Sequence, residues 1–215
     1  MPDLGGTGVD LVIALAFLFA GWYPAGLFWQ RRRSARYVRA IGTAAERLAA
    51  PGRRPEIRWV GRAGFQVVVD GRPPLRRVAI VALLSAREVL GIWLANVVRR
   101  RGDAIVVRAD LARSPARPVE AYRGRPGREA RGRIGVAWRT HVVQGVAAVA
   151  SPGADDAADE RLARLAGELD SISIAAVSPH LVISVPAARL LREDGAAWLA
   201  ATVTEIAGLA AGERG

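Results

Sequence analysis

The chain has 215 residues, 51% of them hydrophobic, and it contains no cysteine. The lack of cysteine excludes a disulfide framework, a thiol nucleophile and zinc or iron–sulfur sites with Cys ligands. All 31 basic residues are arginine, and the formal net charge is +11. Because residues 1–30 hold two acids and no arginine, residues 31–215 carry a charge of +13. This charge favours anionic lipid or RNA as a partner, unless the arginines only keep the surface solvated.

Residues 11–30 (LVIALAFLFAGWYPAGLFWQ) contain no charged side chain. A helix of that length covers about 30 Å, the thickness of the hydrocarbon layer of a bilayer. Several aromatic residues lie in its second half, where an interfacial belt forms. We therefore predict that residues 1–30 are a single transmembrane anchor rather than a buried core helix. The predicted anchoring residues are Leu11, Phe17, Trp22, Tyr23, Trp29, Arg31, Arg32 and Arg33.

The charges on the two sides of this run predict its orientation. Basic residues are retained on the cytoplasmic side, so the N-terminus should lie outside and the C-terminal part inside the cell. A cleaved signal peptide has its basic residues before the apolar run, which is the reverse of the order here. The arginine-only basic composition is explained either by a GC-rich genome or by selection against thermolabile residues, and we expect a prokaryotic cell membrane.

Residues 31–215 are predicted to form one cytoplasmic domain of mixed helix and strand, which makes the fold class α+β. A helix over residues 34–49 should bury a stripe at Tyr37, Ile41, Ala44 and Leu48, spaced by four, three and four. Strands are expected at 56–61, 64–69, 75–84, 104–109, within 134–149, at 172–177 and at 181–185. Further helices are expected from about residue 155 to 169 and over the last twenty residues.

Ser85 and Glu88 have the spacing of a capping box, which predicts a helix over residues 86–101. Its inward side chains, packed on the strands, should be Val89, Ile92, Trp93 and Val97. A second membrane span is disfavoured here, because Arg87 and Glu88 interrupt the apolar run.

Residues 112–133 are rich in Arg, Pro and Gly, and we predict a loop or short helix. Within this stretch, the arginines of residues 123–133 are spaced without interleaved aromatics, which suits phosphate contacts better than base stacking. A plain surface loop is the alternative. The predicted polyanion-binding residues are Arg123, Arg125, Arg128, Arg131 and Arg133.

Patterns that carry catalysis are missing from the sequence. The four acids at 155, 156, 159 and 160 resemble paired catalytic carboxylates, but they suit the first turn of a helix, where they complement its dipole. His141 and His180, the only histidines, lack the spacing of an HExxH zinc site. We therefore predict no catalytic residue, no cofactor and no metal.

In the order of its elements the chain resembles the calumin family, the coiled-coil-containing subunit of the PAT intramembrane chaperone complex at the multipass translocon. The resemblance is carried by residues 58–69 leading into 75–111, by 161–186 and by 195–210. It implies one N-out membrane helix followed by a cytosolic α/β domain. The family's charged C-terminal coiled coil has no counterpart before Gly215, which removes the expected direct route to the ribosome.

These features together predict a non-catalytic factor that acts beside the Sec translocon and ribosome in the insertion or folding of multipass membrane proteins. Its expected partners are the membrane, the translocon, a small multi-helix membrane protein, and anionic lipid or RNA. The alternatives are a membrane-tethered scaffold or nucleic-acid-binding module with an arginine surface, and a membrane enzyme with an unrecognised pocket.

Overall fold

The computed structural model describes residues 4–60, 64–85, 87, 89–98, 102–125, 128–134, 138–143, 147–152 and 156–212. For residues 4–7, 128–130, 141, 143, 147 and 156 it describes the backbone only. The chain divides into two compact units. Unit 1 contains Met1–Arg36 and Leu84–Asp103, and unit 2 contains Tyr37–Leu83 and Ala104–Gly215.

The helices are α1 (Leu4–Leu48), α2 (Leu90–Val98), α3 (Arg128–Arg133), α4 (Asp156–Glu168), α5 (Ala187–Leu190) and α6 (Gly195–Ala211). The strands are β1 (Glu56–Trp59), β2 (Gly64–Asp70), β3 (Leu75–Leu83), β4 (Ala104–Leu111), β5 (Val119–Arg123), β6 (Arg139–Val143), β7 (Ala147–Ser151), β8 (Ser171–Ile174) and β9 (Leu181–Pro186). The described part of the chain is therefore a mixture of helix and sheet, as predicted.

Helix α1 is 45 residues long and continues through Pro24. Among the described residues it is the one helix long and apolar enough to cross a membrane, with a mean hydropathy of 1.9 over its most apolar window. Only 6% of that window is buried. Such exposure is unlike that of a buried core helix and is compatible with a single membrane span.

The sheet of unit 2 has nine strands in the order β1-β2-β3-β4-β9-β8-β5-β7-β6, and every neighbouring pair is antiparallel. One face is a continuous apolar row that crosses from β2 to β7. Its directly paired members are Val67, Ile80, Val107, Ile183, Ile172, Ala121 and Val149. All of them are buried, so this row is the centre of the core.

Helices of unit 2 complete this core. The last turns of α1 bury Tyr37, Ile41, Ala44 and Leu48, so the predicted stripe is confirmed. Helix α4 packs on β5, β6 and β7 and contacts α6. Helix α6 buries Leu199, Val203, Ile206 and Ala210, a spacing of four, three and four residues.

Two predicted segments differ from the structure. Strand β5 lies inside the stretch predicted as loop or short helix, because Pro, Arg and Glu obscured its alternation. The hairpin strands β3 and β4 pair up to Leu83 and Ala104, and the segment 84–103 between them belongs to unit 1. The prediction had packed the helix of that segment on the strands.

Three of the four side chains predicted to face inward from that helix are exposed, and the fourth, Trp93, is half-buried. Val89, Ile92 and Val97 are 44–53% exposed, and α2 spans Leu90–Val98 rather than 86–101. The periodicity failed because residues 89–98 contain no charged side chain to define an outer face. Glu88 of the predicted capping box lies outside the described residues.

The sheet row generates a stability prediction. We expect Ile183→Ala to lower the free energy of unfolding by about 2–5 kcal/mol, because Ile183 is fully buried in the middle of the row. The matched change Val182→Ala, at a half-buried position on the other face, should cost about 1 kcal/mol or less. Urea unfolding of the detergent-solubilised chain, followed by β-sheet circular dichroism, measures both. Equal losses would contradict the assignment of the core face.

Candidate functional site

One stripe of α1 is shielded from solvent within unit 1. Trp22, Gly26, Gln30 and Arg33, spaced by four, four and three residues, are buried or half-buried. Around them the helix is exposed, and Phe17 reaches 75%. The apolar part of α1 therefore has a protein neighbour along one narrow stripe and presents its remaining surface outward.

Trp22 contacts the segment 84–103 directly. Its indole ring lies 5.0 Å from the ring of Trp93 on α2, centroid to centroid, at an angle of 44°. Its Nε1 donates a hydrogen bond of 2.9 Å to the carbonyl oxygen of Arg87. Trp93 is thus half-buried against the apolar part of α1, which replaces the predicted contact with the strands.

A polar cluster joins the ends of the same segment. Arg33 Nε lies 2.6 Å from Asp103 Oδ2, and the Asp103 side chain is almost completely buried. Asp103 Oδ1 accepts a hydrogen bond of 3.0 Å from the backbone N–H of Ser85. The Ser85 hydroxyl in turn accepts one of 3.0 Å from Asn96 of α2. These contacts tie both ends of the segment, and α2 itself, into one connected cluster.

The outer surface of α2 is apolar and uncovered. Leu94 and Val98 are 53% and 75% exposed, and α2 has no buried residue. A soluble surface helix of this length carries a polar face. An apolar, exposed helix beside the apolar part of α1 instead indicates a surface made for a non-aqueous or protein environment.

The predicted anchoring residues fall into two groups. Leu11, Phe17, Tyr23, Trp29, Arg31 and Arg32 point away from the rest of the chain. Trp22 and Arg33 also make the contacts with 84–103 described above. Their anchoring role stays a prediction, and for these two residues the structure adds a positioning role.

The five predicted polyanion-binding arginines are not equivalent. Arg123, Arg125 and Arg131 are exposed, and the side chain of Arg128 lies outside the described residues. Arg133 Nε lies 2.5 Å from Glu120 Oε1, and the Glu120 side chain is 4% exposed. Because Arg133 neutralises a buried carboxylate, replacing all five arginines would not leave the fold untouched.

Arg123 has an electrostatic neighbour within unit 2. Burial raises the pKa of the Asp170 carboxyl above its usual value, and the positive charge of Arg123 partly offsets that rise. Arg125 and Arg131 are therefore the better candidates for contact with an external polyanion.

Sequence reasoning missed two buried carboxylates. Glu120 also accepts a hydrogen bond of 2.7 Å from the Ser173 hydroxyl. Asp159 lies 2.6 Å from Arg117 Nη2, and the Ser151 hydroxyl donates to it at 3.3 Å. Asp159 lies in the first turn of α4, as predicted. Its side chain also forms a buried ion pair with Arg117, which the prediction of a favourable interaction with the helix dipole did not include. Arg117 and Arg133 carried no local signal of these distant partners.

The described histidine side chain and one cavity of unit 2 were considered as candidate sites. His180 Nδ1 accepts a hydrogen bond of 3.0 Å from the backbone N–H of Leu111, and the side chain of His141 is outside the described part. No group of three potential metal ligands occurs among the residues that were described. A cavity of about 180 Å³ in unit 2 is lined mainly by apolar side chains, with Arg117 among its walls. This lining offers no arrangement of reactive groups.

Comparisons with known protein families and with curated protein sequences found no match for the chain. Function is therefore inferred from the geometry above together with the resemblance.

The Arg133–Glu120 pair generates a prediction with an internal control. We expect Arg133→Gln to lower the free energy of unfolding by about 1–3 kcal/mol, because the buried Glu120 carboxylate loses its charged partner. Arg125→Gln, an exposed change in the same stretch, should alter stability by less than about 0.5 kcal/mol. Urea unfolding compares the two, and Glu120→Gln in the Arg133→Gln background should recover part of the loss. Equal free energies of unfolding for the two single variants would show that the ion pair contributes nothing to stability.

Proposed function

We propose that this chain is a single-span membrane protein with its N-terminus outside the cell and unit 2 in the cytoplasm. The observation that carries the proposal is the apolar stretch of α1, which is 6% buried and has no charge between Asp10 and Arg31. In water that exposed surface would be strongly unfavourable, whereas in a bilayer it contacts lipid. Arg31, Arg32 and Arg33 directly after it supply the charge that keeps this end cytoplasmic.

Within that setting we propose a non-catalytic role in the insertion or folding of multipass membrane proteins beside the Sec translocon and ribosome. The apolar, exposed surface of α1 supports it, since a factor that receives unassembled membrane helices needs apolar contact area. The choice of biogenesis among the roles of anchored proteins rests on the resemblance to the calumin family.

A second candidate is a membrane-tethered module that binds anionic lipid or nucleic acid. The exposed Arg125 and Arg131 favour it, because the pairing with the buried Glu120 is made by a different arginine, Arg133. Phosphate binding by such arginines needs no base recognition and weakens as salt rises.

The membrane orientation is tested by protease protection. In right-side-out vesicles, unit 2 should stay intact, because the positive charges after α1's apolar stretch retain it inside. Opening the vesicles should expose unit 2 to digestion, which serves as the control for protease activity. Resistance to alkaline carbonate extraction should accompany the protection. Digestion of unit 2 in sealed vesicles would reverse the orientation, and release by carbonate would reject the span.

The partner role is tested with two double variants of equal charge. We expect Arg125→Gln with Arg131→Gln to lower the association constant for ribosomes or anionic vesicles about thirtyfold in cosedimentation, since each of the two arginines near such a surface contributes about 1 kcal/mol. The control, Arg164→Gln with Arg192→Gln, removes the same charge at two exposed positions elsewhere in unit 2. Equal losses would mean that only net charge matters. Co-purification of the unaltered chain with translocon components from gently solubilised membranes tests the biogenesis role, and their absence would favour the second candidate.

A further inference from the structure

The segment 84–103 has the composition of a membrane element although it is too short to cross a bilayer. Residues 89–98 contain no charged side chain, whereas Arg87 and Glu88 precede them and three arginines follow. Helix α2 has nine residues, which cover about 14 Å of helix axis, half of what a span requires. Apolar runs of that length bounded by charges are typical of re-entrant or interfacial segments.

The contacts of this segment show where it lies along α1. They run from Arg33, which pairs with Asp103, to Trp22, which contacts Trp93 and the backbone of Arg87. The eleven residues between Trp22 and Arg33 cover about 16 Å of helix axis. If Arg31–Arg33 mark the cytoplasmic headgroups, that distance reaches from the membrane surface to near the middle of the hydrocarbon layer.

The polar groups of the segment are arranged as a membrane requires. Ser85, Asn96 and Asp103 bond to one another and to Arg33 at the cytoplasmic end of the anchor. Arg87 is half-buried and has partners within the chain. Bonds within the nine residues of α2 satisfy its central peptide groups, while the groups at its two ends need partners outside the helix. The large exposed side chains of α2, which are Ile92, Leu94, Val97 and Val98, are all aliphatic.

From these placements we propose that residues 84–103 form a re-entrant hairpin that enters the cytoplasmic leaflet beside α1, with the exposed face of α2 covered by lipid acyl chains. The proposal rests on the proposed membrane span of α1 and deepens it, because the chain would then hold the bilayer through two elements. Lipid is favoured as the occupant because the apolar surface of α2 adjoins a helix surface that is itself lipid-facing.

The absence of cysteine in the chain permits a direct test with single nitroxide labels. Leu94→Cys and Val98→Cys probe the outer face of α2, and both positions are exposed, so a label should not disturb packing. Phe17→Cys on α1 is the control for lipid, and Val177→Cys in unit 2, 77% exposed, is the control for water. The full chain is reconstituted in phosphatidylcholine–phosphatidylglycerol vesicles opened by freeze–thaw. Power saturation then measures collisions with oxygen, which concentrates in lipid, and with a water-soluble nickel chelate.

The proposal predicts that the two α2 labels behave like the Phe17 label. Their collision rate with the nickel chelate should be about tenfold or more below that of the Val177 label, because a polar chelate partitions poorly into hydrocarbon, while their oxygen collisions stay high. High nickel accessibility at Leu94 and Val98 with a protected Phe17 label would overturn the hairpin and leave the anchor intact. Low accessibility to both reagents would overturn it in favour of a protein partner covering α2. Nickel access at Phe17 as well would reject the membrane span itself.

Discussion

Helix α1 has to satisfy two different environments with one continuous backbone. Over 45 residues its hydrogen bonds are made within the helix, so no peptide group needs water where the surface is apolar. The side chains change their role at the end of unit 1. Up to Arg36 most are exposed, whereas from Tyr37 onward a stripe is fully buried in the core of unit 2. A change that broke the helix between these parts would affect both units at once.

The buried charged groups of the chain follow one rule in both units. The side chains of Asp103, Glu120 and Asp159 are almost completely buried. Each of these carboxylates forms an ion pair with an arginine side chain that is partly exposed. The arginine stem packs on protein while its head reaches toward solvent, which lowers the desolvation cost of the pair. With arginine as the only basic residue type, each pair can also use two donors in a fixed geometry. Part of the large positive charge is therefore structural.

The sequence predicted those parts of the fold in which the spacing of apolar side chains was compatible with only one kind of element and one buried face. The stripe at Tyr37, Ile41 and Leu48 and the alternating strands β3 and β9 were recoverable, because polar neighbours marked the outer face. The side chains predicted to face inward from α2 were mostly wrong, since residues 89–98 hold no charged side chain that would mark an outer face. The pairs of Glu120 with Arg133 and Asp159 with Arg117 join residues 13 and 42 positions apart. Nothing local signals such pairs, and they decide which arginines of the predicted polyanion site are free to act.

The pairing of Leu83 with Ala104 lets the segment between them vary independently of the sheet. The chain leaves β3 and returns to β4 at directly opposed positions, so the connection contributes nothing to the strand register. A tight two-residue turn would satisfy the same geometry. The length and composition of residues 84–103 can therefore differ without changing the register of β3 and β4, while unit 2 keeps its sequence.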